Sequence, residues 1–337
     1  MANLPSCYSD PLAAAMVRRT FSFGRSALLA AMRLLGIGAG DTVLLPGFIC
    51  HEVLAPIAAC GAKPAFYDVN LALEPAQSWT DWPAAKAVIA VNYFGFPQAL
   101  DPFRAYCAHH GATLIEDNAH GWLGRDEDGA WLGLRGDLGI FSMRKSWRLP
   151  DGAALAIIRP DLAACAPLQL PSRDIVKPPS WWVERWLSRL PGTAPLVWSR
   201  RARRMWRSWR TGSALPSVDP EAETRMPTES APHAGLQAAL DGFDGALETE
   251  RRRELYAWAR SELAHVGVTG IWPTLPAGVV PYGYPFRADT LTDEGLRAAI
   301  GAMERKGLDV FVWPTLPAAI AARAPAHYQS TWLVNFL

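Results

Sequence analysis

The chain has 337 residues, half of them hydrophobic and 19% charged, which excludes a single small module and a disordered chain and gives a length prior of about two domains. Lys plus Arg (33) balances Asp plus Glu (32), for a formal charge of +1. No overall field therefore argues for a nucleic-acid partner.

From residue 24 helix alternates with short apolar strand. Ser26–Leu35 has helical spacing and stops at Gly36; Thr42–Leu45 reads as a strand and His51–Ala59 as a helix closed by Gly61. Pro64–Val69, Ala87–Asn92, Thr113–Glu116, Leu138–Ser142 and Ala154–Ile158 read as strands, and Pro102–His110 as a helix. This alternation predicts parallel pairing, an α/β three-layer sandwich with a mostly parallel sheet, and ligands at the strands' carboxyl ends. Residues 160–220, rich in Pro, Trp and Arg, break the rhythm and read as an insertion in a large lobe spanning 1–220. Beyond it, Leu236–Val266 predicts one long helix with Arg251, Arg252 and Arg253 on its polar side. Strands at Tyr282–Phe286 and Asp309–Trp313 around a helix at Asp293–Arg305 predict a small C-terminal α+β lobe over 221–337.

Three segments lie where a strand gives way to a loop or helix. Gly24-Arg25-Ser26-Ala27-Leu28 opens a helix, whose free backbone N–H groups and Ser26 hydroxyl suit a phosphate or, more simply, an N-cap. Leu114–His120 delivers Glu116 and Asp117 to the end of a buried strand, where acids are costly unless paired. A carboxylate there could keep a pyridine nitrogen protonated, with His120 against the ring, or Asp117 could merely cap the next turn and His120 be structural. Ile140–Lys145, followed by Pro150-Asp151-Gly152, offers Ser142 to a phosphate and Lys145 to an aldehyde. Burial would depress the lysine's pKa and make it nucleophilic; the bland reading is a solvated loop lysine.

In combination these segments resemble the DegT/DnrJ-type sugar aminotransferases, pyridoxal-phosphate enzymes of fold type I. The resemblance rests on Gly24–Leu28, Gly40–Pro46, Gly61–Pro64 with Asp68, Gly95, Glu116-Asp117 with Ala119-His120, Gly136-Asp137, and Phe141-Ser142 with Lys145 and Gly152. It implies pyridoxal 5'-phosphate as cofactor, Lys145 as the amine that condenses with its aldehyde, Asp117 as partner of the ring nitrogen and His120 beside the ring. Ser26, the Ala27 backbone and Ser142 would bind the phosphate. Cys50 stands where relatives carry a ring-stacking aromatic, with His51 the second choice. Thr224–Pro227 occupies the region of the relatives' Asn-Tyr-Arg segment. The resemblance implies amino transfer from an amino acid such as glutamate to a keto sugar of the nucleotide-linked type, by a homodimer. Two other readings stay open: a catalytically inactive binding protein on this scaffold, and a pyridoxal-phosphate enzyme acting on a non-sugar substrate.

At helical spacing Trp198, Ala202, Met205, Trp206 and Trp209 share one face, and Arg200, Arg201, Arg203, Arg204, Arg207 and Arg210 the other. Such a helix fits core or dimer packing, a lipid headgroup layer contacted peripherally through 181–210, or a lid for a substrate diphosphate. Cys7, Cys50, Cys60, Cys107 and Cys165 are odd in number and lack any C-x-x-C pair, which fits neither a disulfide framework nor a thiolate metal site. A cytoplasmic location, at most peripheral to the inner membrane face, follows. No signal peptide is expected, because Arg18 and Arg19 come after the apolar run and not before it.

Overall fold

The computed structural model describes residues 10–146, 149–174 and 219–337, together with Trp182, Trp186, Trp206 and Trp209. The large lobe is built on a seven-stranded sheet of order β1-β7-β6-β5-β4-β2-β3. Its strands are β1 (Val17–Phe21), β2 (Thr42–Pro46), β3 (Lys63–Tyr67), β4 (Ala87–Val91), β5 (Thr113–Asn118), β6 (Leu138–Phe141) and β7 (Ala153–Ile157). The crossovers include α1 (Gly24–Leu34), α2 (Leu54–Ala59) and α3 (Asp101–His110), and a short α4 (Pro160–Ala164) follows β7. β4 and β7 are buried at every position, as strands covered on both faces must be.

The mostly parallel sheet agrees with expectation, with two differences. β7 runs antiparallel to β6, and β1 pairs antiparallel with β7 at the edge. β1 reads Val-Arg-Arg-Thr-Phe, and its two arginines hide an edge strand that needs only partial burial.

The predicted long helix over Leu236–Val266 is two helices, α5 (Leu236–Asp241) and α6 (Gly245–Ala264). Gly242 ends the first, and the Asp244 side chain accepts from Leu247 N at 3.0 Å to cap the second. Arg252 is not on a polar face: it is 2% exposed. The C-terminal sheet, of order β8-β10-β9, contains β8 (Gly283–Arg287), β9 (Asp309–Val312) and β10 (Thr331–Asn335). Helix α7 (Asp293–Arg305) lies between β8 and β9 in the chain. The segment preceding α5 stays bonded to the large lobe through Ser22 N to Ser230 O (3.0 Å) and Arg173 N to Pro232 O (2.9 Å).

Most of the predicted Trp/Arg helix lies outside the described residues. Trp206 and Trp209 are helical and exposed, as are Trp182 and Trp186. Among the described residues no helix is long and apolar enough to cross a membrane.

Candidate active site

β4, β5 and β6 are neighbours in the sheet, so the turns at their carboxyl ends are neighbours too. They carry Phe94, then Asp117 and His120, then Ser142 and Lys145. Lys145 closes a 3₁₀ turn after β6, its amide donating to Ser142 O at 3.0 Å. Its Nζ lies 3.2 Å from His120 Nε2.

His120 is held as a slab. Its ring stacks on Tyr282 at 4.5 Å and 1°, and on Phe94 at 5.7 Å and 13°. Trp313 meets its edge at 5.2 Å. Tyr282 belongs to the C-terminal lobe and is locked by Tyr282 N donating to Phe94 O at 2.7 Å. That contact needs Gly95, at φ +90°, because a Cβ there would stand 2.4 Å from Val280 O.

The two strand-end acids divide. Glu116 is fully buried and belongs to the scaffold: it accepts from Arg135 Nε at 2.9 Å, from Arg135 N at 2.9 Å and from Asn92 Nδ2 at 2.8 Å. Alternation along β5 turns Asp117 to the other side. Asp117 does cap the following turn, its Oδ1 accepting from Ala119 N at 3.0 Å. It also sits close enough to Lys145 for each to move the other's pKa.

Electrostatics here favour neutral forms. Burial pushes Asp117 up, opposed by Lys145, and pushes Lys145 down, opposed by Cys50 and Asp117. Burial, with Lys145 and Arg252 nearby, holds His120 well below the usual imidazole value. The hydrogen bonds agree. His120 Nδ1 accepts from Phe94 N at 3.3 Å, so in a neutral ring the proton is on Nε2 and points at Lys145 Nζ, which can accept it only as an unprotonated amine.

Cys50 joins this group: burial raises its thiol and the charge of Lys145 lowers it. His51 does not. Its amide donates to Thr315 O at 2.8 Å and its Nδ1 lies 3.8 Å from Glu223.

Ser26 stands in the first turn of α1, 3% exposed, with an Oγ that makes no hydrogen bond among the described residues. The amides of Ser26 and Ala27 both donate to Phe23 O, at 2.9 and 3.2 Å. The Ala27 amide thus already has a partner, leaving the Gly24 and Arg25 amides at the helix start. Ser142 is buried at the end of β6. An orphaned hydroxyl at a helix start, a partly buried amine whose pKa is pushed down and a partly buried carboxyl group near it match the three functional groups of pyridoxal phosphate: phosphate, aldehyde and ring nitrogen. The residues fit that cofactor.

Sequence reasoning missed Phe94, Tyr282, Trp313 and Arg252. Gly95 was the available signal for the Phe94 turn; nothing local marks the others.

Residues 18–154 match the profile of the DegT/DnrJ/EryC1/StrS aminotransferase family. The L-glutamine:2-deoxy-scyllo-inosose aminotransferase of Streptoalloteichus tenebrarius is 35% identical over 139 residues, 40% of this chain and 32% of that protein. The UDP-N-acetyl-3-dehydro-alpha-D-glucosamine 3-aminotransferase of Acidithiobacillus ferrooxidans is 34% identical over 139 residues, 39% of this chain and 36% of that one. The aligned stretches thus span about a third of these relatives' length. The crystal structure of a DegT DnrJ EryC1 StrS aminotransferase from Brucella abortus superposes with TM-score 0.64 at 18% identity, covering 95% of this chain and 81% of that one. The chain has the fold of these aminotransferases, and its residues 18–154 match their family profile.

Proposed function

We propose that the protein is a pyridoxal-phosphate-dependent aminotransferase that moves an amino group from an amino acid to the ketone of a sugar or sugar-like ring, with a nucleotide-linked keto sugar the favoured acceptor. The observation that carries this reading is the Lys145 amine, 3.2 Å from His120 Nε2 and near enough to Asp117 for each to shift the other's pKa, at the carboxyl ends of β5 and β6. The names of the two relatives, one acting on an inosose and one on a UDP-linked dehydro sugar, support the acceptor class.

When bound, pyridoxal phosphate supplies an aldehyde that accepts the amino group and a ring that stores the electrons released at the donor's α-carbon. The protein's own share is positioning and proton transfer. Lys145 Nζ, its pKa pushed down by burial, would be the nucleophile toward the aldehyde and would carry the proton of the donor's α-carbon. Asp117 would partner the ring nitrogen and keep it protonated. His120, stacked between Phe94 and Tyr282, donates from Nε2 and fixes the amine's direction. The aromatic wall of Phe94, Tyr282 and Trp313 keeps water from these groups. The resemblance supports a homodimer.

One observation favours a catalytically silent scaffold: Arg225, in the region of the relatives' Asn-Tyr-Arg segment, is exposed and committed to Asp219 and Glu221. The visible spectrum separates the two. The enzyme reading expects a yellow protein whose colour is fixed by borohydride onto Lys145, located by peptide mass spectrometry, and bleached by L-glutamate or L-glutamine. Colour that no amino donor bleaches supports the silent scaffold; no colour and no adduct overturn both.

A further inference from the structure

A second orphan lies near the start of α1. Arg144 stands between Ser142 and Lys145 in sequence, and its Nε is buried and makes no hydrogen bond among the described residues. Its guanidinium lies 5.2 Å from the centroid of the Phe23 ring. Phe23 is the residue whose carbonyl receives the first amides of α1, and Ser26 follows it by one turn. The backbone fixes this approach: Arg144 N donates to Gly152 O at 3.3 Å, and Gly152 N to Ser22 O at 2.7 Å. The other cation at that helix end, Arg25, is already paired with Glu52 at 3.6 Å.

Resting on the cofactor reading above, we propose that Arg144 is the cation that binds the pyridoxal phosphate's phosphate at the N-terminus of α1, with the Ser26 hydroxyl as its neighbouring donor. A phosphate monoester carries close to two negative charges near neutral pH. The start of a helix offers about half a positive charge. The difference calls for a full cation, and a guanidinium supplies both charge and directed N–H groups. A buried guanidinium nitrogen with no acceptor is costly unless an anion completes it. Ser26 Oγ and Arg144 Nε are unsatisfied together at one end of one helix, which is what a shared missing acceptor produces. Placed there, Arg144 also accounts for part of the depression of Lys145, since its charge disfavours a second cation next door.

The test compares apoprotein binding of pyridoxal phosphate and of pyridoxal, followed by quenching of tryptophan fluorescence, in wild type, Arg144→Met and Arg144→Lys. Inorganic phosphate is added separately in a thermal-shift series. Arg144→Met is expected to weaken pyridoxal phosphate by about 10- to 100-fold, the worth of one charge-assisted contact. Pyridoxal binding should change less than about twofold, and the stabilisation by inorganic phosphate should disappear. Arg144→Lys, which keeps the charge but not the fork, should fall between, and it carries the same comparison should Arg144→Met fail to fold. Equal weakening of both aldehydes would mean a structural role and overturn the proposal, as would no effect on either. Loss of donor or nucleotide-sugar affinity with pyridoxal phosphate unchanged would assign the guanidinium to substrate and overturn it too. A wild-type protein that binds pyridoxal phosphate no better than pyridoxal would sink the cofactor reading itself, a separate result.

Discussion

His120 Nε2 and Lys145 Nζ stand 3.2 Å apart, and the Phe94 amide on the far side of the imidazole decides which of them donates. With Nδ1 occupied as an acceptor, the neutral ring can only donate from Nε2. A donor aimed at the lysine's lone pair stabilises the unprotonated amine.

Replacing His120 by Phe keeps a ring between Phe94 and Tyr282 but removes that donor. Lys145 should then hold its proton more tightly. The pH at which the apoprotein amine condenses with pyridoxal phosphate, followed by stopped-flow absorbance, should move upward. An unchanged or lower pH midpoint would show that the histidine does not set the lysine's protonation.

His120 also ties stability to pH. Its folded pKa lies well below the ordinary imidazole value of 6.5, so the unfolded chain binds a proton that the folded one refuses. Stability should therefore be full above about pH 6.5 and decline as pH falls below it. In His120→Phe the decline between pH 6.5 and 5 should flatten in chemical denaturation curves. Parallel curves for both proteins would assign the acid sensitivity elsewhere.

Glu116 and Asp117 are adjacent carboxylates with opposite effects on stability. Glu116 is paired with Arg135 and Asn92 at zero exposure, so Glu116→Gln leaves a buried guanidinium short of its partner and should cost about 3–5 kcal/mol. Asp117 has a raised folded pKa, so the folded protein holds that proton more tightly than the unfolded chain. The stability this gives is present at low pH and is lost as pH rises from about 3.8 through the folded value. Once ionised, the carboxylate is a liability. Asp117→Asn keeps an oxygen for the Ala119 amide and should raise the apoprotein's Tm by about 1–3 °C while abolishing amino transfer. A fall in Tm for Asp117→Asn would contradict the assignment.

The division between these two acids shows what the sequence could tell. Their placement at the end of a buried strand was legible from Leu114-Ile115 and the flanking Gly111, as were β2, β4, β6 and β7 from short apolar runs and α3 from the stretch Pro102–His110. Which acid was scaffold depended on Arg135 and Asn92, brought in from other parts of the chain and invisible to local pattern. β1 escaped notice because an edge strand tolerates Arg18 and Arg19. The break between α5 and α6 was legible in principle, since Asp244 three residues ahead of Leu247 is an N-cap signal. The pairing of His120 with Tyr282, separated by the whole insertion, had no local trace.

Arg252 is the buried charge that joins the lobes. Its guanidinium donates to Glu248 Oε1 at 2.6 Å, to Pro281 O at 3.1 Å and to Tyr282 O at 3.3 Å, and it also bonds the Ser146 carbonyl directly after Lys145. One side chain thus fixes the loop that bears the amine against the residue that stacks on His120. Arg252→Met keeps volume but leaves those carbonyls and part of Glu248 unsatisfied, at an expected cost of about 3–5 kcal/mol. Arg252→Lys retains the charge but cannot span the same acceptors with a planar fork, so it should recover part of the stability while the loop stays loose. In that variant the cofactor affinity should fall and the pH midpoint for Lys145 condensation should move up, as water reaches the amine. Wild-type affinity and midpoint in Arg252→Lys, with only the melting temperature lowered, would reduce Arg252 to a packing residue with no hold on the site.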